Sequence, residues 1–181
     1  MKLYRFSPIS WYEDLLKAIE HTHIQCNTLC FQSYGEYFPN AWNIGIFCHY
    51  EDEFLQLKNI QKEIVTPSDS PNQKYFKLKE NIVFPEINGI PQTTYTHLYI
   101  RRPDPYRHHV WDVDFYLSNE EYLKRKTYLL EWNTIQWARV FDRTDLDMIE
   151  LHHPDIDALW YISTEQMTQD VHEKLSEETN L

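Results

Sequence analysis

The stretch Thr93–Leu117, TTYTHLYIRRPDPYRHHVWDVDFYL, combines two runs of alternating residues with a dense group of ionisable side chains. Polar and aromatic residues at 95, 97, 99 and 101 alternate with Thr and aliphatic residues, and Asp112, Asp114 and Tyr116 alternate with apolar ones. A period of two predicts half-buried strands. The segment 102–109 between them contains two prolines, which cannot donate to a strand ladder, so the stretch is predicted to be an antiparallel hairpin with a loop.

A symmetric loop would place Tyr99 opposite Asp112 and His97 opposite Asp114, with the paired Cβ atoms about 5 Å apart. One face of this hairpin would be apolar and would pack on a core, while the other would carry the ionisable groups. Ordinary pairs on a solvated face would give the same pattern. The loop is longer than the usual hairpin connection of about 2 to 5 residues, which is more typical of a functional segment.

The loop is therefore predicted to fold over the polar face of its own hairpin. It would bring Arg107, His108 or His109 to a pocket that also contains Asp112 or Asp114. Two prolines limit its freedom, which reduces the entropy cost of holding a ligand. The alternative is a loop that projects into solvent with its charges hydrated.

Composition excludes several classes of function. The chain of 181 residues carries 28 acidic and 17 basic residues, and its net charge of −11 repels nucleic acids and anionic membranes, so neither is expected as a partner. Its three glycines are isolated, so phosphate-binding glycine loops and a nucleophile elbow are absent from the sequence. Against this background one locally basic group would attract a small anion; it comprises Arg101, Arg102, Arg107, His108 and His109.

The cysteines favour a reducing environment. There are three, with no C-x-x-C pair, and neither a signal peptide nor a long apolar segment is recognisable, so a cytoplasmic location is expected. Cys26 and Cys30 lie with His21 and His23 in a predicted helix, but their spacing matches no zinc pattern. Buried free cysteines are the favoured interpretation.

The remaining elements follow from periodicity and capping signals. Ser10 and Glu13 form a capping box that opens a long first helix ending near Gly35, and Ser118 with Glu121 opens another through about residue 131. Further predicted elements are an edge strand at 2–7, a strand at 43–50, a helix at 51–64, strands at 74–80 and 81–86, a turn at 88–89, a meander at 137–141, 146–152 and 158–163, and a last helix capped by Ser163 and Gln166.

These elements predict a single α+β domain over residues 1–181. Its sheet would be mostly antiparallel, with five to eight strands, and would pack against the long N-terminal helix and further helices. The polar segment 66–73 is an internal linker, and the tail 176–181 is expected to fray.

A second group of candidate residues lies in the strand at 146–152. Glu150 and His152 would point away from the core-facing Ile149 and Leu151. If this strand shares a sheet with the hairpin, two chemistries are open. Neighbouring carboxylates could perform acid/base catalysis with their pKa values pushed apart. Alternatively, a divalent metal could bind to a mixed ligand set, whose candidates are His97, Asp112, Asp114, Glu150 and His152.

The leading hypothesis is an enzyme, of hydrolase or lyase type, that acts on a small polar or anionic molecule. Proton transfer would be carried by four residues, His97, Asp112, Asp114 and Glu150. Substrate would be bound by a second set: Tyr99, Arg101, Arg102, Arg107, His108 and His109. The rival hypothesis is a non-catalytic protein-interaction domain, since 6 Trp, 13 Tyr and 9 Phe could form an acidic, aromatic-rich binding surface. A pocket with converging polar groups would favour the enzyme, and a flat aromatic patch the interaction domain.

Overall fold

The structure, a computed structural model, describes residues 8–38, 41–67, 74–132, 135–143 and 146–167. Three helices and seven strands are defined within these ranges. The helices are α1 (Tyr12–Tyr34), α2 (Glu51–Ile64) and α3 (Asn119–Trp132). The strands are β1 (Ala41–Phe47), β2 (Tyr75–Phe84), β3 (Thr93–Arg101), β4 (Trp111–Leu117), β5 (Ala138–Arg143), β6 (Leu146–Leu151) and β7 (Ala158–Thr164).

All seven strands belong to one mixed sheet with the order β2-β3-β1-β4-β7-β6-β5. The pairs β1–β3 and β4–β7 are parallel, and the other neighbours are antiparallel. The α+β class is confirmed, but the expectation of a mostly antiparallel sheet is partly wrong, because both parallel pairs lie near the centre. The meander formed by β5, β6 and β7 is confirmed.

The predicted hairpin is wrong, because β1 lies between β3 and β4. Asn43 pairs with His97 on one side and with Asp114 on the other, and Gly45 likewise separates Tyr99 from Asp112. The partners that the hairpin would have placed about 5 Å apart are therefore two strand spacings apart, roughly 9 to 10 Å. β1 is a nearly continuous buried apolar strand, a pattern that favours the centre of a sheet over its edge.

The position of β1 also explains the length of the loop. The chain leaves β3, crosses the carboxyl end of β1 and enters β4. The Asp104 backbone N–H donates to the Cys48 carbonyl at 3.0 Å, and His49 Nε2 donates to the Arg107 carbonyl at 2.9 Å. The loop is thus anchored to the segment that follows β1, and its length is the length needed to cross one strand.

The three helices cover one face of the sheet. α1 contacts β4 and β7, α2 contacts β2 and β3, and α3 contacts β4, β5 and β7. On this face Ile44, Val113 and Trp160 lie in one row across β1, β4 and β7, and each is fully buried. Tyr34 of α1 meets the Trp160 ring edge-on at 5.7 Å. The apolar residues therefore gather on the helix side, which leaves polar residues for the other face.

The helix ends follow local chemistry, with small shifts from the predicted caps. The Asp14 carboxylate accepts from the backbone N–H groups of Ser10 and Trp11 at 3.1 and 3.2 Å, so the cap of α1 lies one residue after the predicted Ser10–Glu13 pair. α1 ends at Gly35, which has φ 73°. The bounds of α2 agree with the prediction, and the N–H of His49 donates to Glu53 at 2.6 Å at its start.

Other local predictions are met with similar shifts. β2 is one continuous strand where two short ones were predicted, and the turn at Asn88 and Gly89 is confirmed by φ values of 53° and 84°. At the end of β7, Thr164 accepts from the Met167 N–H at 3.2 Å in place of the predicted Ser163. Four predicted segments lie wholly or mostly outside the described residues: the strand at 2–7, most of the linker at 66–73, the rest of the last helix and the tail at 176–181. No described helix is long and apolar enough to cross a bilayer.

Candidate active site on the open face of the sheet

A cavity of about 260 Å³ lies on the face of the sheet opposite to the helices. Asn43, Asp112 and Asp114 contribute to its lining from the central strands, and Arg101 and Arg107 contribute from the end of β3 and the following loop. Aromatic side chains from five strands surround them: Phe47, Tyr75, Tyr99, Tyr116 and Tyr161. In the described part of the chain, α1, α2 and α3 contribute no lining residue. The described lining therefore comes from the sheet, from the loop that crosses β1 and, at Met167, from the segment that follows β7.

The Asp112 carboxyl group lies directly over the backbone of β1 at Gly45. A Cβ atom at Gly45 would lie 1.6 Å from Asp112 Oδ1 and 2.7 Å from its Cγ, so a glycine is needed at this position. Asp112 is only 8% exposed. Because Gly45 has no side chain, the Asp112 carboxyl can lie close to the backbone of β1, and there it lines the cavity.

Asp114 is held by a small hydrogen-bond network. Asn43 Nδ2 donates to Asp114 Oδ2 at 3.3 Å and to the Tyr116 hydroxyl at 2.9 Å, and the Tyr116 hydroxyl is also hydrogen bonded to Asp114. Because the amide nitrogen faces the carboxylate, the amide oxygen is assigned to the other side. Asn43 Oδ1 is buried and accepts no hydrogen bond within the described ranges. The network orients Asp114 and leaves one buried acceptor beside it.

The two carboxyl groups have raised pKa values. Burial raises the pKa of Asp112 well above its ordinary value, the negative charge of Asp114 raises it further, and the charges of Arg107 and Arg101 oppose the rise. Burial raises the pKa of Asp114 to about 6, against the effect of the hydrogen bonds from Asn43 and Tyr116. Asp112 and Asp114 are neighbours on one face of β4, so ionisation of one opposes ionisation of the other, and the pair holds a proton more tightly than two independent carboxyl groups would.

The arginines provide the opposite charge at the same cavity. The Arg107 guanidinium stacks on the Phe47 ring with its Cζ 3.9 Å from the ring centroid, and the corresponding distance for Arg101 is 5.7 Å. Arg107 Nε is buried and has no partner in the described structure. Asp112 experiences both positive charges but receives no side-chain hydrogen bond from either guanidinium among the described residues. Acidic and basic groups thus line one cavity without being joined to each other.

Five of the predicted site residues line this cavity: Tyr99, Arg101, Arg107, Asp112 and Asp114. Others lie elsewhere. His97 Nδ1 is hydrogen bonded to Thr96 Oγ1 at 2.8 Å, and Glu150 is hydrogen bonded to Tyr161, one strand away from Asp114. Arg102 and His108 are exposed.

His109, two residues after Arg107, belongs to a different group. The His109 ring lies 6.4 Å from the His152 ring, and the His152 ring lies 5.8 Å from the Trp137 ring. Burial lowers the pKa of His109 to about 4, and the nearby His152 and Arg107 contribute to the effect. The loop therefore sends Arg107 to the cavity and His109 toward the turn that precedes β7.

The metal hypothesis is not supported by the placement of its candidate ligands. Among the described residues there is no group of three or more His, Cys, Asp or Glu side chains that could hold a metal ion. His97 and Asp114 are separated by β1, and Glu150 is separated from Asp114 by β7. The expected set of His97, Asp112, Asp114, Glu150 and His152 therefore does not converge. Cys26, Cys30 and Cys48 are free and buried, in agreement with the favoured interpretation of the first two.

Several lining residues were not recognised in the sequence. Asn43, Phe47, Tyr75 and Tyr161 lie on strands whose neighbours could not be known in advance. One signal was available, because Gly45 interrupts an apolar strand in a chain that has only three glycines. A glycine inside a strand often marks the close approach of another group, which here is the Asp112 carboxyl.

Comparisons with known proteins give no functional information. No protein-family model matches the chain, and no curated protein matches it. A solved structure named "Structural Genomics, Protein EC4020" is similar, with a TM-score of 0.49 and 12% sequence identity over 94% of this chain and 98% of that one.

Proposed function

We propose that this protein is an enzyme that binds a small anionic molecule in the cavity on the open sheet face and catalyses proton transfer with Asp112 and Asp114. The observation that carries the proposal is the pair of carboxyl groups, Asp112 and Asp114, in the lining of one cavity. Asp112 is 8% exposed and lies against the backbone of Gly45. Placing ionisable groups in such a site is costly unless they are paired or neutralised. Strongly perturbed carboxyl groups in a cleft are a common property of catalytic sites.

The two carboxyl groups have different surroundings, which favours different roles. Asp114 accepts hydrogen bonds from Asn43 and Tyr116, so it is the member better suited to remain ionised and act as the base. Asp112 lacks such donors and is better suited to hold the proton and act as the acid. Hydrolases and lyases both use such an acid and base pair.

Arg101 and Arg107 would bind the anionic group of the substrate. Both guanidinium groups lie near the Phe47 ring, and a guanidinium group offers paired N–H donors that match the geometry of a carboxylate or phosphate. Burial raises the pKa of Tyr75 and of Tyr161, so both phenols stay neutral and can serve as hydrogen-bond groups. His97 and Glu150, which do not line the cavity, are left out of the proposed machinery.

The test combines a ligand screen with matched variants. The purified protein would be screened by thermal shift against inorganic phosphate and short carboxylates, because a ligand that binds only the native state raises the melting temperature. A metabolite mixture would then be incubated with the protein, and consumption of each component would be followed by mass spectrometry. Asp112→Asn and Asp114→Asn should retain the fold and abolish turnover, whereas Asp155→Asn, a change at an exposed acid away from this cavity, should not.

Two results would contradict the proposal. The first is unchanged turnover in both Asp112→Asn and Asp114→Asn. The second is the loss of folding in these isosteric variants, which would assign the pair to structure. A cytoplasmic location and a single domain over the whole chain belong to the same proposal, and the three buried free cysteines support the reducing environment.

The interaction domain remains as a second candidate because α3 exposes large apolar side chains. Leu123, Leu130 and Trp132 are 55%, 58% and 67% exposed, and Trp132 is the type of residue that anchors protein interfaces. If the function is partner binding through α3, Trp132→Ala should weaken capture of the partner and Asp112→Asn should not. If the cavity carries the function, Asp112→Asn should abolish turnover in the metabolite screen and Trp132→Ala should not.

A further inference from the structure

The hydrogen-bond acceptors of the cavity are concentrated on one side. They are the carboxyl groups of Asp112 and Asp114 and the amide oxygen of Asn43, a residue that is 4% exposed. The amide oxygen has no donor among the described residues, and Asp112 has no side-chain donor there. An ammonium group offers three N–H donors and a positive charge, which matches three acceptors and a pair of acids.

The positively charged donors of the cavity lining come from the two arginines. The Arg107 guanidinium lies over the Phe47 ring with its Cζ 3.9 Å from the centroid, and its buried Nε has no partner among the described residues. Arg101 lines the same cavity and lies near the same ring. Paired guanidinium edges are suited to a carboxylate, which accepts two parallel hydrogen bonds.

A ligand with a single charge would satisfy only half of this lining. A simple anion would leave Asn43 Oδ1 and the Asp112 carboxyl group without a side-chain donor, and a simple amine would leave the guanidinium groups without an anion. Unsatisfied buried polar groups cost about 1 to 3 kcal/mol each. The cavity of about 260 Å³ lies just below the usual range of ligand pockets, about 300 to 1,000 Å³, which favours one small molecule that carries both charges.

We propose that the ligand of this cavity is a small zwitterion, an amino acid or a related amino carboxylate, whose ammonium group binds at Asn43, Asp112 and Asp114 and whose carboxylate binds at Arg101 and Arg107. This inference rests on the proposed function, because it names the substrate class of the same site.

Calorimetry separates a zwitterion from a simple anion by the sign of proton exchange. An ammonium group beside the aspartate pair favours ionised carboxylates and so releases a proton near pH 6. A bound carboxylate without an ammonium group favours the protonated pair and so takes a proton up. The probes are β-alanine, with propanoate and ethylamine as analogues that each carry one of its charges. Glycine and 4-aminobutanoate vary the distance between the charges. Each is titrated in two buffers of different ionisation enthalpy, which gives the number of protons exchanged.

At least one of the amino carboxylates should bind at least about tenfold more tightly than its single-charge analogues, with net proton release. Propanoate binding as tightly as the amino carboxylates, or proton uptake with all of them, would overturn the zwitterion while leaving the proposed anion site intact. If none of the probes binds, the proposed anion site fails together with the zwitterion.

A matched pair of variants gives a second test. Asp112→Asn should remove the preference for the amino carboxylate and the proton release, while propanoate binding is kept. Asp155→Asn should change none of these. Folding of both variants is checked by circular dichroism, and the sign of proton exchange in the unmodified protein tests the inference without any variant. A preference for the zwitterion that survives Asp112→Asn would overturn the assignment of the ammonium position.

Discussion

The contact between Gly45 and Asp112 predicts that Gly45→Ala will displace the Asp112 side chain. The new Cβ atom would lie 1.6 Å from Oδ1 and 2.7 Å from Cγ. Rotation about χ2 moves the oxygens but not Cγ, so relief requires a change in χ1 or a shift of the strand. Off-rotamer side chains cost about 0.5 to 1.5 kcal/mol, and overpacking in buried sites costs about 1 to 3 kcal/mol. We therefore expect Gly45→Ala to lower the free energy of unfolding by about 1 to 3 kcal/mol.

The expected loss can be assigned to this contact by a double-mutant cycle. The three atoms nearest to the position of the new methyl group all belong to the Asp112 carboxyl group, and Asp112→Ala removes every one of them. Urea denaturation of the two single variants and the double variant gives the coupling free energy. Gly45→Ala should cost about 1 to 3 kcal/mol alone and close to zero in the Asp112→Ala background. For a chain of this size, 1 kcal/mol corresponds to a change of about 2 to 4 °C in Tm.

Additive effects of the two substitutions would refute this reasoning, because they would show that the Asp112 carboxyl does not occupy the space above Gly45. A Gly45→Ala variant with the same free energy of unfolding as the unmodified protein would lead to the same conclusion. The ligand titrations described above give an independent check. A displaced Asp112 should lose the proton release seen with the amino carboxylate that binds the unmodified protein, even if the fold survives.

Three further predictions concern pH and the loop. Burial raises the pKa of Asp112, so its contribution to the free energy of unfolding is fully present below about pH 4 and is lost as pH rises above that value. Asp112→Asn should therefore gain stability relative to the unmodified protein as pH rises above about 4, by up to about 1.4 kcal/mol per pH unit in urea denaturation. Burial lowers the pKa of His23 to about 4, so the free energy of unfolding falls as pH falls below about 6.5. His23→Gln should reduce this loss of stability at acid pH in urea denaturation. An unchanged dependence of stability on pH below about 6.5 would refute the prediction. His49→Ala removes the hydrogen bond to the Arg107 carbonyl. The variant should lower the free energy of unfolding by about 0.5 to 1.5 kcal/mol and weaken propanoate binding measured by calorimetry. Equal binding would show that this hydrogen bond does not position Arg107.

Local chemistry determined the elements of this protein. α2 occupies the predicted residues Glu51–Ile64, because its acidic first turn and apolar stripe are encoded within the segment itself. The turn at Asn88 and Gly89 needs two positive φ values, which these residue types adopt easily. The alternation of β4 placed Asp112 and Asp114 on one face, as the structure shows. Each of these features depends on residues that are close in sequence.

The tertiary structure alone decided which strands are neighbours. Pairing between strands distant in sequence depends on how all the buried faces are satisfied together, and no short segment encodes that choice. Consecutive strands are often adjacent in a sheet, which favoured a hairpin of β3 and β4. The apolar strand β1 is instead buried most completely at the centre of the sheet, between β3 and β4. This insertion separates His97 from Asp114, places Asp112 over Gly45, and carries Arg107 across the end of β1 to the cavity. The sequence thus determined the chemical groups available for a site, and strand order determined which of them meet, because a side chain reaches only the strands next to its own.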